Sequence, residues 1–364
     1  MAERPKKQAG QPRKRSQQAA PRAAPQAIEP ETSAPELWSP AGAFPIVGIG
    51  ASAGGLEAFT QLLQHIPVTT GLAFVLVQHL DPTHESMLPE LLSRVTKMPV
   101  RQVRKGMTVE PNQIYVTPPN ANISISGMTL RLVSRSETRG LHMPIDHFLR
   151  SLAQQHGSRA IGIILSGAGS DGALGLAEIK GQGGITFVQD VRTARFPGMP
   201  HSAIMHGGID FIMPPQGIAQ ELARVAQHPY VISPSSGREE EPAADPSPII
   251  QSLSQDGLSQ IFRLLRAARG VDFTCYKQNT IRRRITRRMT LCKMDSLAEY
   301  AQYIKDHHEE LDALYHDLLI KVTGFFRDPE AFEALKTEVF PIILRDRPAN
   351  RPVRIWIPGC ASGE

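Results

Sequence analysis

The chain has 364 residues, 41% of them hydrophobic and 21% charged, and its 40 Lys and Arg against 35 Asp and Glu give a formal net charge of +5. That balance excludes a wholly disordered chain, a collagen and a coiled-coil rod, and the length predicts roughly two domains plus tails. The three cysteines, Cys275, Cys292 and Cys360, include no CxxC pair, which excludes a disulfide framework or cysteine zinc site and predicts a reducing, cytoplasmic setting.

Residues 1–43 are rich in Pro, Ala, Gln and basic side chains and nearly devoid of large apolar ones. Such a segment buries too little surface to offset its ordering entropy, so it reads as a disordered tail. Lys6, Lys7, Arg13, Lys14 and Arg15 make its first half basic, most simply as a solvated charge run. It carries no signal-peptide core, and no uncharged apolar run reaches the ~18 residues of a membrane helix. A soluble protein with no membrane insertion is expected, though its substrate can be membrane-bound.

Residues 44–230 read as an α/β domain. Apolar strands are predicted at Pro45–Gly50, Ala73–Gln78, Ile114–Thr117, Ala160–Ser166 and Ile185–Gln189. Helical patterns lie between and after them at Gly55–His65, Met87–Thr96, Ile145–His156, Gly172–Gly181 and Gly217–Gln227. Near-continuous apolar strands alternating with helices predict a doubly wound, mostly parallel sheet covered on both faces. Ile123–Val133 alternates with a period of two around Gly127 and predicts a β-hairpin appended to that sheet.

Residues 231–249 form a Pro/Ser/acidic linker. Residues 250–350 then read as an all-α domain, with helices at Leu258–Ala268, Lys277–Leu291, Leu297–His307, Leu311–Ile320 and Pro329–Asp346. Ser296 with Glu299 predicts a capping box, and Asp328 before Pro329 an N-cap followed by proline at the first helical position. Residues 351–364 open with a strand, Val353–Pro358, and a Gly359–Gly363 turn, the start of a truncated Rossmann-like domain. No internal repeat is present.

The chemistry concentrates where strands end. IVGIGASAGGLEAF is a strand, a small-residue turn and a helix. Gly50, Ser52 and Gly54 fit G-x-S-x-G, which sets a serine at the apex of a sharp turn with helix N-terminal N–H groups beside it. Gly48, Gly50 and Ala53 equally fit the dinucleotide-binding G-x-G-x-x-A. A dinucleotide fold wants an acid at the end of the second strand; here that strand ends at His79, as a hydrolase base would. Asp171 follows the strand Ala160–Ser166. Ser52, His79 and Asp171 thus each follow the C-terminal end of a predicted parallel strand, the edge where open α/β sheets bind ligands.

Plainer readings exist for each. Ser52 alone is a possible helix N-cap and Asp171–Gly172 a turn. His79, Asp81 and His84 would suit a metal only with a third ligand at helical spacing, and none stands there. Asp190 also ends a strand and rivals Asp171 for the acid role. Asp146 before His147 reads as the N-cap of its own helix, and His65, His142, His201 and His206 show no arrangement.

GIGASAGGLEAF, VLVQHLDPTHESMLPELL, YVTPPN, PIDHFLRSLA, ILSGAGSDGALGLAEIKGQGG and FPGMPHSAI, in that order over Phe44–Ala226, resemble the catalytic domain of CheB-type protein-glutamate methylesterases. The resemblance implies hydrolysis of glutamate γ-methyl esters on chemoreceptors, glutamine deamidation as a second activity, no cofactor, and Ser52, His79 and Asp171 as nucleophile, base and acid. The stand-alone esterases often have Thr at Ala53 and Met at Ala168, changes that spare backbone oxyanion donors. They also carry an N-terminal receiver domain, for which residues 1–43 are too few, so phosphorylation control in cis is not expected.

YKQNTIRRRITRRM, LLIKVTGFFRDPEAFEAL and VRIWIPGCASGE resemble CheR-type receptor methyltransferases, covering the helical domain and the first strand and turn of the S-adenosylmethionine domain. That likeness implies S-adenosylmethionine contacts at Thr323, Arg327, Gly359 and Gly363, with Lys321 standing where many members have Asn. The chain ends at Glu364, so no methyl transfer is expected of it. Lys277, Arg282, Arg283, Arg284, Arg287, Arg288 and Lys293 make one helix strongly basic, with Ile281, Ile285 and Met289 as its buried stripe. This is a solvated face or a surface for an acidic partner; the resemblance favours a methylated chemoreceptor or sensor protein, and no nucleic-acid motif is present. An adaptor with a dormant esterase fold and a dinucleotide-binding module are the rival functions.

Overall fold

A computed structural model of the protein describes residues 44–79, 86–119, 121–134, 143–232, 255–319, 329–345 and 354–356. Its first part is built on seven strands: β1 (Ile46–Ala51), β2 (Ala73–Gln78), β3 (Val100–Gln102), β5 (Ile114–Val116), β8 (Ala160–Ile164), β9 (Ile185–Gln189) and β10 (Phe211–Met213). They run in the order β10-β9-β8-β1-β2-β5-β3, and every pair is parallel.

The two-residue alternation of the strands sorts side chains into two layers. Val47, Ile49, Phe74 and Leu76 pack with α1 (Gly55–Leu63), α2 (Leu88–Ser93) and α6 (Pro215–Val225). Ile46, Val75 and Val77 pack with α3 (Pro144–His156), α4 (Ala173–Gly181) and α5 (Gly198–His206). The glycines of β1 face that second layer: a Cβ on Gly50 would lie 2.3 Å from Ile145 Cγ2, so glycine there lets α3 lie directly on the strand.

The predicted hairpin forms as β6 (Ala121–Ser126) and β7 (Thr129–Ser134), but it is not an extension of the main sheet. It pairs with β4 (Met107–Thr108) in a separate three-stranded antiparallel sheet, whose Ile123, Ile125 and Leu130 close the α3 layer.

A four-residue helix α7 (Pro229–Ile232) ends this part. Four further helices follow: α8 (Gln255–Arg269), α9 (Gln278–Leu291), α10 (Leu297–Asp306) and α11 (His308–Leu318). They share a core of Leu258, Ile261, Phe273, Ile281, Ile285, Tyr300 and Leu314. Ser296 stands at the N-cap of α10 with extended backbone, yet its side chain makes no capping bond, so the predicted capping box does not close. Asp328 lies outside the described residues. Pro329–Ala334 and Phe340–Leu344 are helical around a π-helical turn, Leu335–Val339. Of the expected strand Val353–Pro358, the described residues Arg354–Trp356 pair with no other strand. No helix of the described residues is long and apolar enough to cross a membrane.

Candidate active site

In the strand order β1 has β8 on one side and β2 on the other, because the chain winds outward from β1, returns beside it and winds the other way. The carboxyl ends of β1 and β8 therefore flank the reversal point, where such sheets form a crevice. Ser52 leaves β1 at that point, and its N–H donates to the carbonyl of Ser166, just past β8, at 3.0 Å.

The turn after Ser52 closes through the Gly55 N–H donating to the Ser52 carbonyl at 2.9 Å. Gly54 supplies the left-handed backbone, φ +72°, that starts α1, and a Cβ on it would lie 2.7 Å from Ser166 Oγ. Gly54 is the N-cap of α1, so Ser52 is not spent on capping. Its hydroxyl instead lies 3.2 Å from His79 Nδ1 at the end of β2. On the far side of the ring, His79 Nε2 lies 2.8 Å from Asp171 Oδ2. The structure brings Ser52, His79 and Asp171 into one hydrogen-bonded chain.

Asp171 is nearly fully buried, and its charge is met by protein donors. Oδ2 also accepts the Ile145 N–H at 3.0 Å, and Oδ1 accepts the Asp146 N–H at 2.8 Å. Both donors belong to the first turn of α3, whose N–H groups have no partner within the helix and whose end carries positive potential. An ionised carboxylate only accepts, so the ring nitrogen facing Asp171 must be the donor. The tautomer is fixed accordingly: Nε2 carries the proton and Nδ1 keeps a lone pair for Ser52.

Asp146 does not cap its own helix, as the sequence suggested. Its Oδ1 accepts the Gly175 N–H in the first turn of α4 at 2.6 Å, so one residue ties the starts of both helices to Asp171. Burial pushes the Asp146 carboxyl above the usual carboxylate range; the Gly175 N–H opposes that and the neighbouring Asp171 charge adds to it. Asp190, the rival acid, is paired with Arg192 at 2.6 Å, and its backbone N–H bonds the Met213 carbonyl. That pairing with Arg192 holds its carboxyl below the usual range.

Ser166 escaped the sequence reading. Its hydroxyl donates to the Ala53 carbonyl at 2.9 Å and accepts the Phe196 N–H at 3.0 Å, while its own N–H bonds Gln189 Oε1 at 2.9 Å. It pins the serine turn to β8, β9 and the 190–197 loop together. The only available signal was a small hydroxyl residue directly after an apolar strand. Beside this strap lies an open groove of about 450 Å³, lined by Gly54, Glu57, Gln61, Ser166, Arg192 and Arg195 among others.

The dinucleotide alternative loses its basis here. The Cβ positions of Gly48 and Gly50 are filled by Leu149 and Ile145 of α3, so these glycines serve helix packing. Among the described residues no group of three or more His, Cys, Asp and Glu could hold a metal ion; Asp81 and His84 lie outside them. His65 bonds the Gln61 carbonyl, His201 and His206 are exposed, and His142 lies outside the described residues. Lys321, Thr323, Arg327, Gly359 and Gly363 lie outside them as well.

Residues 47–222 match the family model for the CheB methylesterase, and residues 256–319 the all-alpha domain of the CheR methyltransferase. The chain joins a CheB-type domain to a CheR-type all-alpha domain. The CheB-type domain is 34% identical over 184 residues to a protein-glutamate methylesterase/protein-glutamine glutaminase of Carboxydothermus hydrogenoformans, covering 49% of this chain and 54% of that protein. A longer match, 34% over 287 residues, is to an uncharacterized 104.1 kDa protein of Rhodobacter capsulatus, covering 76% of this chain and 30% of that one. The catalytic domain of the Thermotoga maritima CheB methylesterase aligns at 26% identity and a TM-score of 0.47, over 50% of this chain and 99% of that structure. The chain spans about half the length of the methylesterase relative and less than a third of the Rhodobacter protein.

Proposed function

We propose that the CheB-type domain hydrolyses glutamate γ-methyl esters on chemoreceptor-like proteins, with Ser52 as nucleophile, His79 as base and Asp171 as acid. One observation carries the reading: the unbroken chain from Ser52 Oγ through both ring nitrogens of His79 to a buried, doubly anchored Asp171.

As Ser52 Oγ attacks the ester carbonyl, its proton passes to His79 Nδ1 and the carbonyl oxygen takes up the negative charge. The backbone N–H groups of Ala53 and the Ala168–Gly169 turn are the donors we assign to that oxyanion. Collapse breaks the bond to the methoxy group, which leaves as methanol with the His79 proton. Water then enters; His79 takes its proton as the water oxygen attacks the acyl carbon, and returns it to Ser52 Oγ as the acyl–Ser52 bond breaks and the free glutamate leaves. Throughout, Asp171 holds the imidazole tautomer and stabilises the charged ring. The same steps on a glutamine side chain release ammonia, the second activity that the relatives' names carry.

The family of the all-alpha domain implies S-adenosylmethionine in the methyltransferase. Thr323, Arg327, Gly359 and Gly363 are the contacts we propose for it, and no step above involves it.

The test is methanol release from a methylated receptor, wild type against Ser52→Ala, with far-ultraviolet circular dichroism to confirm the fold. Loss of release in the folded variant is expected; undiminished turnover would overturn the assignment.

A further inference from the structure

The basic helix α9 reads from sequence as a solvated face or a surface awaiting an acidic partner. The structure assigns that partner to this same chain. Arg287 is fully buried, and its guanidinium bridges three acceptors: Asp210 Oδ2 at 2.5 Å, Asp317 Oδ2 at 2.6 Å and the Gly184 carbonyl at 3.0 Å. Asp317 belongs to α11, but Asp210 and Gly184 belong to the CheB-type domain, just before β10 and β9. Lys180 completes the socket, 3.3 Å from Asp210 Oδ1.

One turn earlier on α9, Arg284 donates to the Gly181 carbonyl at 2.6 Å and the Lys180 carbonyl at 3.3 Å, at the C-terminal end of α4. The Lys180 carbonyl also accepts the Gly183 N–H at 2.9 Å, and both carbonyls lie at the negative end of the helix dipole, which a cation suits. The exchange runs both ways: Arg224 of α6 donates to the Thr290 carbonyl at 2.9 Å, and Lys293 pairs with Glu221 at 3.3 Å. Leu291 packs into the apolar layer formed by α1 and α6. Arg288 is held within the helical part by Glu310. Arg284, Arg287 and Arg288 are thus all engaged, and the side of α9 they form is closed to phosphate backbones and to other acidic proteins.

This socket lies at the amino ends of β9 and β10, whereas Ser52, His79 and Asp171 follow carboxyl ends of parallel strands. The helical part therefore docks at the end of the sheet away from the serine. We infer that α9 is an internal dock that locks the CheR-type helices α8–α11 onto the CheB-type domain as one body, at the end of the sheet away from the serine. A surface ion pair would be screened by salt, but Arg287 and Asp210 are fully buried and escape most of that screening.

The experiment places a protease site in the Pro/Ser/acidic stretch 233–248 of the full chain and cuts it after folding. Gel filtration of the cut wild type at 0.1 M and 1 M salt should show both halves eluting together, with methanol release unchanged. Separation at either salt overturns the inference, whatever any variant does. In the cut Arg287→Ala chain, Asp210 and Asp317 lose their partner in a dry site, and re-association should weaken by about a hundredfold or more. The exposed control Arg263→Ala should leave it unchanged. Halves of Arg287→Ala that stay together with wild-type affinity also overturn it.

Discussion

Replacing Asp171 by Asn tests the site more sharply than deleting it, because the shape survives and only the donor–acceptor pattern changes. The carboxylate accepts from His79 Nε2 at 2.8 Å, Ile145 N at 3.0 Å and Asp146 N at 2.8 Å. An Asn amide has one oxygen for two positions that both require an acceptor. With its oxygen toward Asp146, the NH₂ group faces Ile145 N–H and forces His79 to accept at Nε2. The ring proton then moves to Nδ1, where it confronts Ser52 and leaves no lone pair to take the serine proton. With its oxygen toward His79, the tautomer is kept, but the NH₂ group faces Asp146 N–H in a buried site. Either way a buried donor goes unpaired, at about 1–3 kcal/mol of stability. In the first orientation the wrong tautomer also lowers kcat by about 10⁴. Methanol release under saturating substrate and thermal unfolding read the two effects separately. An Asp171→Asn enzyme with both kcat and melting temperature at wild-type values would overturn this picture of the Asp171 site.

Asp146→Ala strips the Gly175 N–H of its acceptor and should cost about 1–3 kcal/mol, whereas Asp146→Asn keeps an acceptor oxygen and should recover most of it; equal melting temperatures for the two variants would contradict the bridge between α3 and α4. His156 is buried, and burial lowers its imidazole from 6.5 to about 4 while its Nε2 bonds the Gly127 carbonyl at 2.9 Å. With the folded value depressed, the unfolded chain binds the extra proton between those pH values. Stability is therefore full above pH 6.5 and falls by about 3 kcal/mol as the pH drops toward 4. His156→Gln should flatten that part of the stability curve measured by urea unfolding, and an unchanged slope would count against it.

The α/β part was legible because its strands are near-continuous apolar runs with helices of opposite period between them. Placing Ser52, His79 and Asp171 after strand ends was enough to foresee their meeting, since parallel strands carry their C-terminal residues to one edge. What escaped had no periodic signal. Val100–Gln102, Met107–Thr108 and Phe211–Met213 are two- or three-residue strands, too short to show alternation. Ser166 and Asp146 act across sequence separations of 113 and 29 residues, on Ala53 and Gly175, which no local pattern encodes. The arginines of α9 resembled a solvated face because their acceptors, Asp210 and the Gly181 and Gly184 carbonyls, lie 77 to 103 residues away.

The proposed chemistry requires His79, held by Asp171, to make Ser52 a nucleophile. An organophosphonate serine probe with peptide mass mapping tests it without requiring the natural substrate. One adduct is expected, on Ser52, and it should disappear in His79→Ala although the serine is still present. A wild-type protein left unlabelled, or labelled at another serine with Ser52 untouched, would contradict it.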